Sequence, residues 1–133
     1  MINEKEIRKY LSPGYYKFII SEASVSTNET AKKLALEGGG NVVVISDSQT
    51  GGKGRMGRRF HSPKGCGIYM SVLRRQWNVN LLTVKAAVAV SRAIEKLYPV
   101  EVKIKWVNDL FINGRKICGI LCESGFTEGS ADY

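Results

Sequence analysis

A basic, glycine-rich stretch at residues 49–59 constrains the fold more than any other part of the sequence. Four glycines alternate there with four cationic side chains, so the stretch is too flexible for a helix and too charged for a buried strand. No Asp or Glu occurs between residues 48 and 94, so the sequence supplies no nearby negative charge to balance it. We call residues 49–59 the glycine loop, and we expect it to bind an anion.

The glycine loop does not fit the two common phosphate-binding motifs. Gly52, Gly54 and Gly57 match the G-x-G-x-x-G spacing of dinucleotide-binding proteins, but that motif opens a helix. Here residues 58–65 follow, and they contain a proline and show no helical periodicity. The P-loop also fails, because its lysine must be followed by Ser or Thr and Lys53 is followed by glycine. We therefore expect the loop to hold its anion by side-chain charge and by closing over it.

Length, composition and charge limit the class of protein. The chain has 133 residues, of which 44% are hydrophobic, as expected for one globular domain with a real core. The net charge of +8 permits a nucleic acid, an anionic membrane surface or an acidic small molecule as partner. No apolar run reaches the ~20 residues of a transmembrane helix. Three cysteines without a signal peptide indicate reduced thiols and a cytoplasmic location.

Apolar residues at helical spacing predict three helices. The first covers residues 2–11, and the second runs from Ser26 to the glycines at residues 38–40. Ser26 and Glu29 have the spacing of a capping box, which would close the start of the second helix. The third helix, at residues 80–98, carries apolar side chains on so much of its surface that we expect it to be largely buried.

Runs of β-branched and aromatic residues predict strands at residues 15–20, 41–46, 67–72 and 101–106, and a hairpin at residues 109–123. The run at residues 41–46 is continuously apolar, which is typical of a strand buried on both faces. Asn113 and Gly114 predict a type I′ turn in the hairpin. Together these elements predict an α+β fold, a mixed and largely antiparallel sheet backed by helices.

Four landmarks, in this order along the chain, resemble the catalytic domain of biotin–protein ligases. They are Ser26-Thr27-Asn28 at a helix start, Gln49 with the glycine loop, Lys105-Trp106-Val107-Asn108-Asp109, and Lys116-Ile117-Cys118-Gly119-Ile120-Leu121. The resemblance runs from about Ser26 to Glu123 and implies a fold related to class II aminoacyl-tRNA synthetases. It implies that residues 1–133 form a single catalytic domain that is incomplete at its C-terminus, without a helix-turn-helix domain or a C-terminal barrel domain.

The resemblance also implies an activity. Members of this family adenylate biotin with ATP to biotinyl-5′-AMP, then transfer biotin to a lysine of a biotin carboxyl carrier domain, with Mg²⁺ assisting. The expected partners are therefore biotin, ATP and a carrier domain, and neither a membrane nor nucleic acid. An incomplete sheet would leave a free edge, which would allow a homodimer.

The site residues implied by the resemblance fall into four sets. The catalytic cations are Lys116 and Arg55. The biotin-binding residues are Ser26, Thr27, Asn28, Gln49, Lys53, Gly54, Arg55, Lys116 and Gly119. The ATP-binding residues are Arg55, Arg58, Lys105, Asn108, Asp109 and Lys116. Asp109 is the expected magnesium ligand, and Trp106 is expected to pack in the core.

The sequence departs from the family pattern at two positions. Lys53 stands where arginine is usual, which keeps the charge but loses the bidentate fork. Val107 stands where proline is usual, which changes the stiffness of the backbone more than the chemistry.

Three other interpretations stay open on the sequence. The chain could be a weakly binding or inactive fragment of such a ligase, or a lipoate-type acyl ligase of the same superfamily. It could also be a basic nucleic-acid-binding module, although it lacks the signatures of the common modules and its aromatic residues are not interleaved with the basic run. Titration with biotin, lipoate and nucleic acid separates these interpretations.

Overall fold

The computed structural model describes residues 2–12, 14, 16–75, 80–127 and 130–131. It divides into two compact units. The described residues up to Arg75 belong to the first unit, and those from Asn80 to Ala131 belong to the second.

The first unit is a three-stranded sheet with helices. Its elements are α1 (Glu4–Arg8), β1 (Lys17–Ser21), α2 (Thr27–Leu36), β2 (Val42–Ser46), a 3₁₀ turn (Arg55–Gly57) and β3 (Tyr69–Leu73). The strand order is β1-β2-β3, with β1 parallel and β3 antiparallel to β2. Because β1 and β2 are parallel, the chain must cross over between them, and α2 provides that crossover. The predicted mixed sheet is confirmed.

Strand β2 is the centre of the first unit. All five of its residues are buried, which confirms the strand predicted from the continuous apolar run. Val42 and Val44 pack with Ala31, Ala35 and Leu73 against α2. The alternate residues of β2 pack in a second cluster, made of Phe18, Val43 and Ile45 with partly buried side chains that include Ile7 of α1. Side chains on both faces of β2 are therefore removed from water.

The second unit is an antiparallel sheet packed against one long helix. Its elements are α3 (Leu82–Leu97), β4 (Lys103–Lys105), β5 (Asp109–Ile112), β6 (Arg115–Gly119) and a two-stranded ribbon of β7 (Phe126–Thr127) and β8 (Ser130–Ala131). The sheet order is β4-β5-β6, and Ala87, Val102 and Leu110 form the buried core. Asn113 and Gly114 have φ values of 49° and 76°, which confirms the predicted type I′ turn.

Two expectations about burial are wrong. Among the described residues of α3 only Ala87 and Ser91 are fully buried, and Leu97 is 73% exposed. One narrow three-stranded sheet contacts a single stripe of the helix, and small side chains lie at the centre of that stripe. Trp106 is 74% exposed because it lies in the turn between β4 and β5, where the chain has left the sheet.

No helix in the described part of the chain combines the length and the apolar character needed to cross a membrane.

Candidate functional site

The start of α2 is held by a side chain of the glycine loop. Gln49 Oε1 accepts a hydrogen bond from the Thr27 backbone N–H at 2.8 Å and another from Thr27 Oγ1 at 3.2 Å. Ser26 is the N-cap residue, but its side chain makes no capping hydrogen bond. The predicted capping box is therefore wrong, because Gln49 supplies the acceptor for the first turn of the helix and Glu29 has a different partner.

The nitrogen of the Gln49 amide binds the segment that follows the glycine loop. We call the part where the two sides of the loop meet, near Gln49, Gly52 and Ser62, the base of the loop. Nε2 donates to Ser62 Oγ at 3.0 Å, and Ser62 Oγ donates to the carbonyl oxygen of Phe60 at 3.1 Å. The Gln49 backbone N–H also donates to the Ser62 carbonyl oxygen at 3.0 Å. Gln49 thus connects α2 to the residues that enter and leave the loop.

Close packing at the base of the loop requires a glycine at position 52. A Cβ atom on Gly52 would lie 2.7 Å from the Phe60 carbonyl oxygen, 2.8 Å from Ser62 Oγ and 3.0 Å from Gln49 Nε2. These distances are shorter than van der Waals contacts. Gly52 is therefore needed so that the two sides of the loop can approach each other, whatever ligand the loop binds.

The glycine loop is a short hairpin. The Gly54 N–H donates to the Arg58 carbonyl oxygen at 2.7 Å, and the Phe60 N–H donates to the Gly52 carbonyl oxygen at 2.8 Å. The tip is the 3₁₀ turn, where Met56 takes a left-handed backbone conformation with φ of 58°. Arg58, directly after the turn, is extended, so no helix follows the glycines. This agrees with the sequence argument against a dinucleotide-binding motif.

One ion pair joins the glycine loop to α2. Lys53 Nζ lies 2.7 Å from Glu29 Oε1, and both side chains are about half exposed. The hydrogen bond and the positive charge of Lys53 hold the pKa of the Glu29 carboxyl below its ordinary value of 4.5. Arg55 and Arg58 lie with exposed side chains at the tip of the loop. The loop therefore keeps exposed cations at its tip while its base is held in place.

Two serines that the sequence analysis did not select belong to this polar group. Ser71 Oγ lies 2.8 Å from Thr27 Oγ1, and it also hydrogen-bonds to Asn28 Oδ1. Ser62 is the hydrogen-bond partner of Gln49 described above. Burial alternates along β3, and Ser71 takes an inward position. A polar residue on the buried face of a predicted strand is the signal that could have identified it.

In the second unit, one face of the sheet carries charged side chains and the other face packs on α3. Asp109 lies opposite Lys105 on β4 and opposite Gly119 on β6. A register shift between Leu110 and Phe111 then places Lys116 opposite Phe111. Because residues directly opposite each other share a face, Lys105, Asp109, Phe111 and Lys116 lie on the same side.

The central contact on this charged face is an ion pair. Lys116 Nζ lies 2.8 Å from Asp109 Oδ1. That oxygen is buried and makes no aligned hydrogen bond within the described part of the chain, so the contact is electrostatic. The Lys116 side chain is 43% exposed, so a ligand can reach its amine. Lys105 Nζ lies 5.7 Å from the centre of the Phe111 ring, within the range of a cation–π contact.

The described residues do not build a metal site of their own. No group of three or more His, Cys, Asp or Glu side chains with suitable geometry occurs among them. Asp109 is paired with Lys116. Magnesium usually binds one or two carboxylates together with the phosphates of a substrate, so Asp109 alone could serve only as part of a shared site. Its role as a magnesium ligand stays a prediction.

The predicted site residues thus form two groups. In the first unit Thr27, Asn28 and Gln49 form one hydrogen-bonded group, with Ser26 buried beside them and the glycine loop attached. The second unit contains the other predicted residues, Lys105, Asn108, Asp109, Lys116 and Gly119. There the Asn108 carbonyl oxygen accepts a hydrogen bond from the Ile120 N–H at 2.8 Å. Their roles toward a ligand stay predictions.

Comparison with known sequences shows the family. Residues 18–132 match the model of the Biotin/lipoate A/B protein ligase family. The chain is 42% identical over 112 residues to the bifunctional ligase/repressor BirA of Bacillus spizizenii, and 40% identical over 112 residues to that of Bacillus subtilis. Each alignment covers 81% of this chain and 34% of the relative, so the chain spans about a third of the length of these relatives.

Solved structures give the same result. The biotin protein ligase of Leishmania major, in complex with biotinyl-5-AMP, matches with a TM-score of 0.70 and 28% identity over 86% of this chain and 53% of that chain. The biotin protein ligase of Aquifex aeolicus, in complex with biotin and ATP, matches with a TM-score of 0.69 and 26% identity, over 86% of this chain and 49% of that chain. The predicted resemblance and the predicted ligase fold are confirmed. The chain belongs to the biotin/lipoate A/B protein ligase family.

Proposed function

We propose that the protein is a biotin–protein ligase, which converts biotin and ATP into biotinyl-5′-AMP and then biotinylates a lysine of a carboxyl carrier domain. The observation that carries this proposal is the hydrogen-bonded group of Thr27, Asn28 and Gln49 attached to a basic glycine loop. The named relatives include structures with biotin, biotinyl-5-AMP and ATP bound. The family match spans described residues of both units, which supports assigning both to one catalytic domain.

The polar group of the first unit suits the head of biotin. The ureido ring offers one carbonyl acceptor and two N–H donors and carries no charge. Hydroxyl and amide side chains can donate and accept, and Ser26, Thr27, Asn28 and Gln49 are all of this kind. We assign the ureido ring to them, the carboxylate to Lys53, Arg55 and Lys116, and close backbone approach to Gly54 and Gly119.

The first chemical step needs positive charge more than it needs a base. The biotin carboxyl is ionised at neutral pH, because such groups have a pKa of about 4. One of its oxygens attacks the α-phosphorus of ATP, and the bond to pyrophosphate breaks as the new P–O bond forms. The reactants repel each other, and negative charge accumulates at phosphorus. Preorganised cations lower this barrier, and loss of one such group typically costs about 10²–10³ in rate.

Lys116 is the first candidate for this cation. It lies on strand β6, so its backbone is held more rigidly than that of the glycine loop. In the structure Asp109 balances its charge at 2.8 Å. Anionic ligands would compete for the same amine, and Arg55 is the second candidate. Lys105, Asn108 and Arg58 complete the proposed ATP contacts, and Asp109 is the proposed carboxylate ligand of magnesium beside the phosphates.

In the second step the ε-amine of the carrier lysine attacks the acyl carbon of the adenylate. An amide bond forms, AMP leaves, and the amine releases its proton to solvent. The mixed anhydride is already activated, so positioning of the lysine is the main requirement.

Isothermal titration of this chain with biotin, with and without ATP and magnesium, tests the proposal. We expect biotin to bind and lipoate, which lacks the ureido ring, to bind more weakly. Tighter binding of lipoate would favour a lipoate-type ligase. Salt-dependent binding of nucleic acid with indifference to biotin would overturn the proposal. Biotin binding without pyrophosphate release would support the interpretation of the chain as an inactive part of a ligase.

The role of Lys116 has a separate test. In a pyrophosphate-release assay we expect Lys116→Ala to reduce adenylation by at least about 10²-fold. Lys17→Ala, which removes another exposed strand lysine, is the matched control and should keep the wild-type rate. Undiminished pyrophosphate release by Lys116→Ala would exclude Lys116 as the catalytic cation.

A further inference from the structure

The buried hydroxyl of Ser71 has no part in the proposed contacts with biotin. Ser71 lies at the centre of β3, its side chain faces inward, and it is 7% exposed. The other inward residues of this strand are Tyr69 and Leu73, and Leu73 belongs to the apolar cluster under α2. An apolar residue would suit such a position, because burying a hydroxyl is unfavourable unless it is hydrogen-bonded.

Both partners of Ser71 belong to the proposed biotin site. Its Oγ lies 2.8 Å from Thr27 Oγ1 and hydrogen-bonds to Asn28 Oδ1. The backbone N–H of Thr27 is already held by Gln49 Oε1. The backbone at the start of α2 is therefore fixed by Gln49, whereas Ser71 restrains the side chains of Thr27 and Asn28.

The hydroxyl of Ser71 has one proton for two neighbours. In one arrangement it donates to Thr27 Oγ1, and the Thr27 hydroxyl donates to Gln49 Oε1. In the other it donates to Asn28 Oδ1 and accepts from the Thr27 hydroxyl. The two arrangements use the same heavy-atom positions, and in both the proton of the Thr27 hydroxyl is donated within the protein, so Thr27 Oγ1 can accept a hydrogen bond from a ureido N–H. Because Ser71 hydrogen-bonds to the amide oxygen of Asn28, the amide nitrogen is the end of that side chain that can donate to the ureido carbonyl, which 2-iminobiotin lacks.

We propose that Ser71 is a positioning residue that sets the side chains of Thr27 and Asn28 for recognition of a ureido group, and so contributes to the choice of ligand. The inference rests on the proposed function, because it assigns the ureido ring to these two residues. Ser71 acts through them and does not touch the reacting atoms. Its loss should therefore change which ligand binds more than it changes the fold.

The test measures binding of three ligands to the intact chain. Biotin and desthiobiotin share the ureido ring, whereas 2-iminobiotin carries a cationic guanidino group in its place. We compare wild type with Ser71→Ala by isothermal titration, using competition with biotin for the weaker ligands. Ser46→Ala is the matched control, because Ser46 is a fully buried serine in the same sheet that hydrogen-bonds to the Ser48 carbonyl oxygen.

We expect Ser71→Ala to weaken biotin and desthiobiotin about tenfold each, as for loss of one well-placed hydrogen bond, and to leave 2-iminobiotin within about twofold. Ser46→Ala should leave all ligand ratios unchanged. Ser71→Cys, which keeps a donor on a slightly larger side chain but hydrogen-bonds more weakly, should lie between wild type and Ser71→Ala. It also serves as the measurement if Ser71→Ala does not fold.

Equal losses for all three ligands would mean that Ser71 only supports the fold, and unchanged affinities would mean that it plays no part. Either result, with biotin binding intact in wild type, overturns this inference and leaves the proposed function standing. If wild type binds neither biotin nor desthiobiotin, the proposed function fails and this inference fails with it.

Discussion

Both the oxygen and the nitrogen of the Gln49 side-chain amide form hydrogen bonds within the protein. Its oxygen accepts from Thr27, and its nitrogen donates to Ser62. The family resemblance assigns Gln49 to ligand binding, but this residue also joins a helix to a loop. Substitution of Gln49 would therefore disturb the fold and the proposed site together, and activity alone would not separate the two effects.

Position 52 offers a cleaner test of packing at the loop base. We expect Gly52→Ala to lower the free energy of unfolding by about 1–3 kcal/mol, because the added methyl group meets the Phe60 carbonyl oxygen at 2.7 Å. Gly54→Ala is the control, since its nearest new contact would be an ordinary 3.5 Å. Urea denaturation of both variants checks this. Equal stability of the two variants would show that the base of the loop can relax to accept a methyl group at position 52.

The Lys53–Glu29 ion pair predicts a pH dependence. The pKa of Glu29 is lowered by Lys53 from its ordinary value of 4.5, so the pair stabilises the attached loop above pH 4.5. That contribution is lost as the pH falls through the lowered pKa of the folded state. In an NMR titration of the Glu29 carboxyl, Lys53→Met should bring the pKa back toward 4.5.

Lys64→Met is the control for this titration, because Lys64 pairs with Glu22 at 3.3 Å and is not the partner of Glu29. It should leave the Glu29 titration unchanged. A Glu29 pKa that is the same in wild type and in Lys53→Met would show that the pair does not form in solution.

At the scale of the element, α2 is held at both ends by side chains from other parts of the first unit. Gln49 binds its first turn. Arg75, two residues after β3, donates from Nε to the Gly39 carbonyl oxygen at 2.8 Å and also donates to the Ala35 carbonyl oxygen. The last carbonyls of a helix lack a partner one turn further along the helix. The Ala35 carbonyl oxygen also accepts from the Gly38 N–H at 3.1 Å, so Arg75 adds a charged donor there, and its other contact reaches the Gly39 carbonyl beyond the helix end. This double attachment positions the helix start that carries the proposed site.

We predict that Arg75→Lys lowers the free energy of unfolding by about 1–3 kcal/mol, because lysine cannot reach both carbonyls with a planar fork. Arg92→Lys, on the exposed side of α3, should change it by less than about 0.5 kcal/mol. Urea denaturation of the two variants gives the comparison. An equal effect at both positions would contradict the capping role of Arg75.

The elements also show where periodicity alone was insufficient. The continuous apolar run of β2 predicted a strand covered on both faces, and both faces are covered. The same reasoning applied to α3 predicted general burial, and it was wrong, since most of its side chains remain partly or fully exposed. The sequence shows which side chains of a helix are apolar. The width of the sheet that packs against the helix decides how many of them are buried.

At the scale of the whole molecule, each compact unit has its own apolar core. The clusters around Val44 and around Val43 lie in the first unit, and the cluster around Leu110 lies in the second. The residues predicted to bind biotin through its ring lie in the first unit, and Lys116 lies in the second.

Separate cores predict separate effects on stability. We expect Leu110→Ala to cost about 2–5 kcal/mol and to accelerate amide hydrogen exchange in β5 and β6, because Leu110 is 0% exposed. Exchange in β2 should change much less. Val44→Ala should accelerate amide hydrogen exchange in β2 and change it much less in β5 and β6. Uniform acceleration throughout the chain in either variant would mean that the two cores unfold as one cooperative unit.

The sequence by itself determined the family, the types of most elements, the turn at Asn113-Gly114 and the exclusion of a helix after the glycine loop. These features depend on local backbone preferences and on the order of residues along the chain. Only the tertiary structure decided that Gln49 replaces the capping box, that Lys53 pairs with Glu29, that Asp109 pairs with Lys116, and that Ser71 supports Thr27 and Asn28. Most of these contacts join residues more than twenty positions apart. Which polar side chains pair therefore depends on the residues that the folded chain brings close in space.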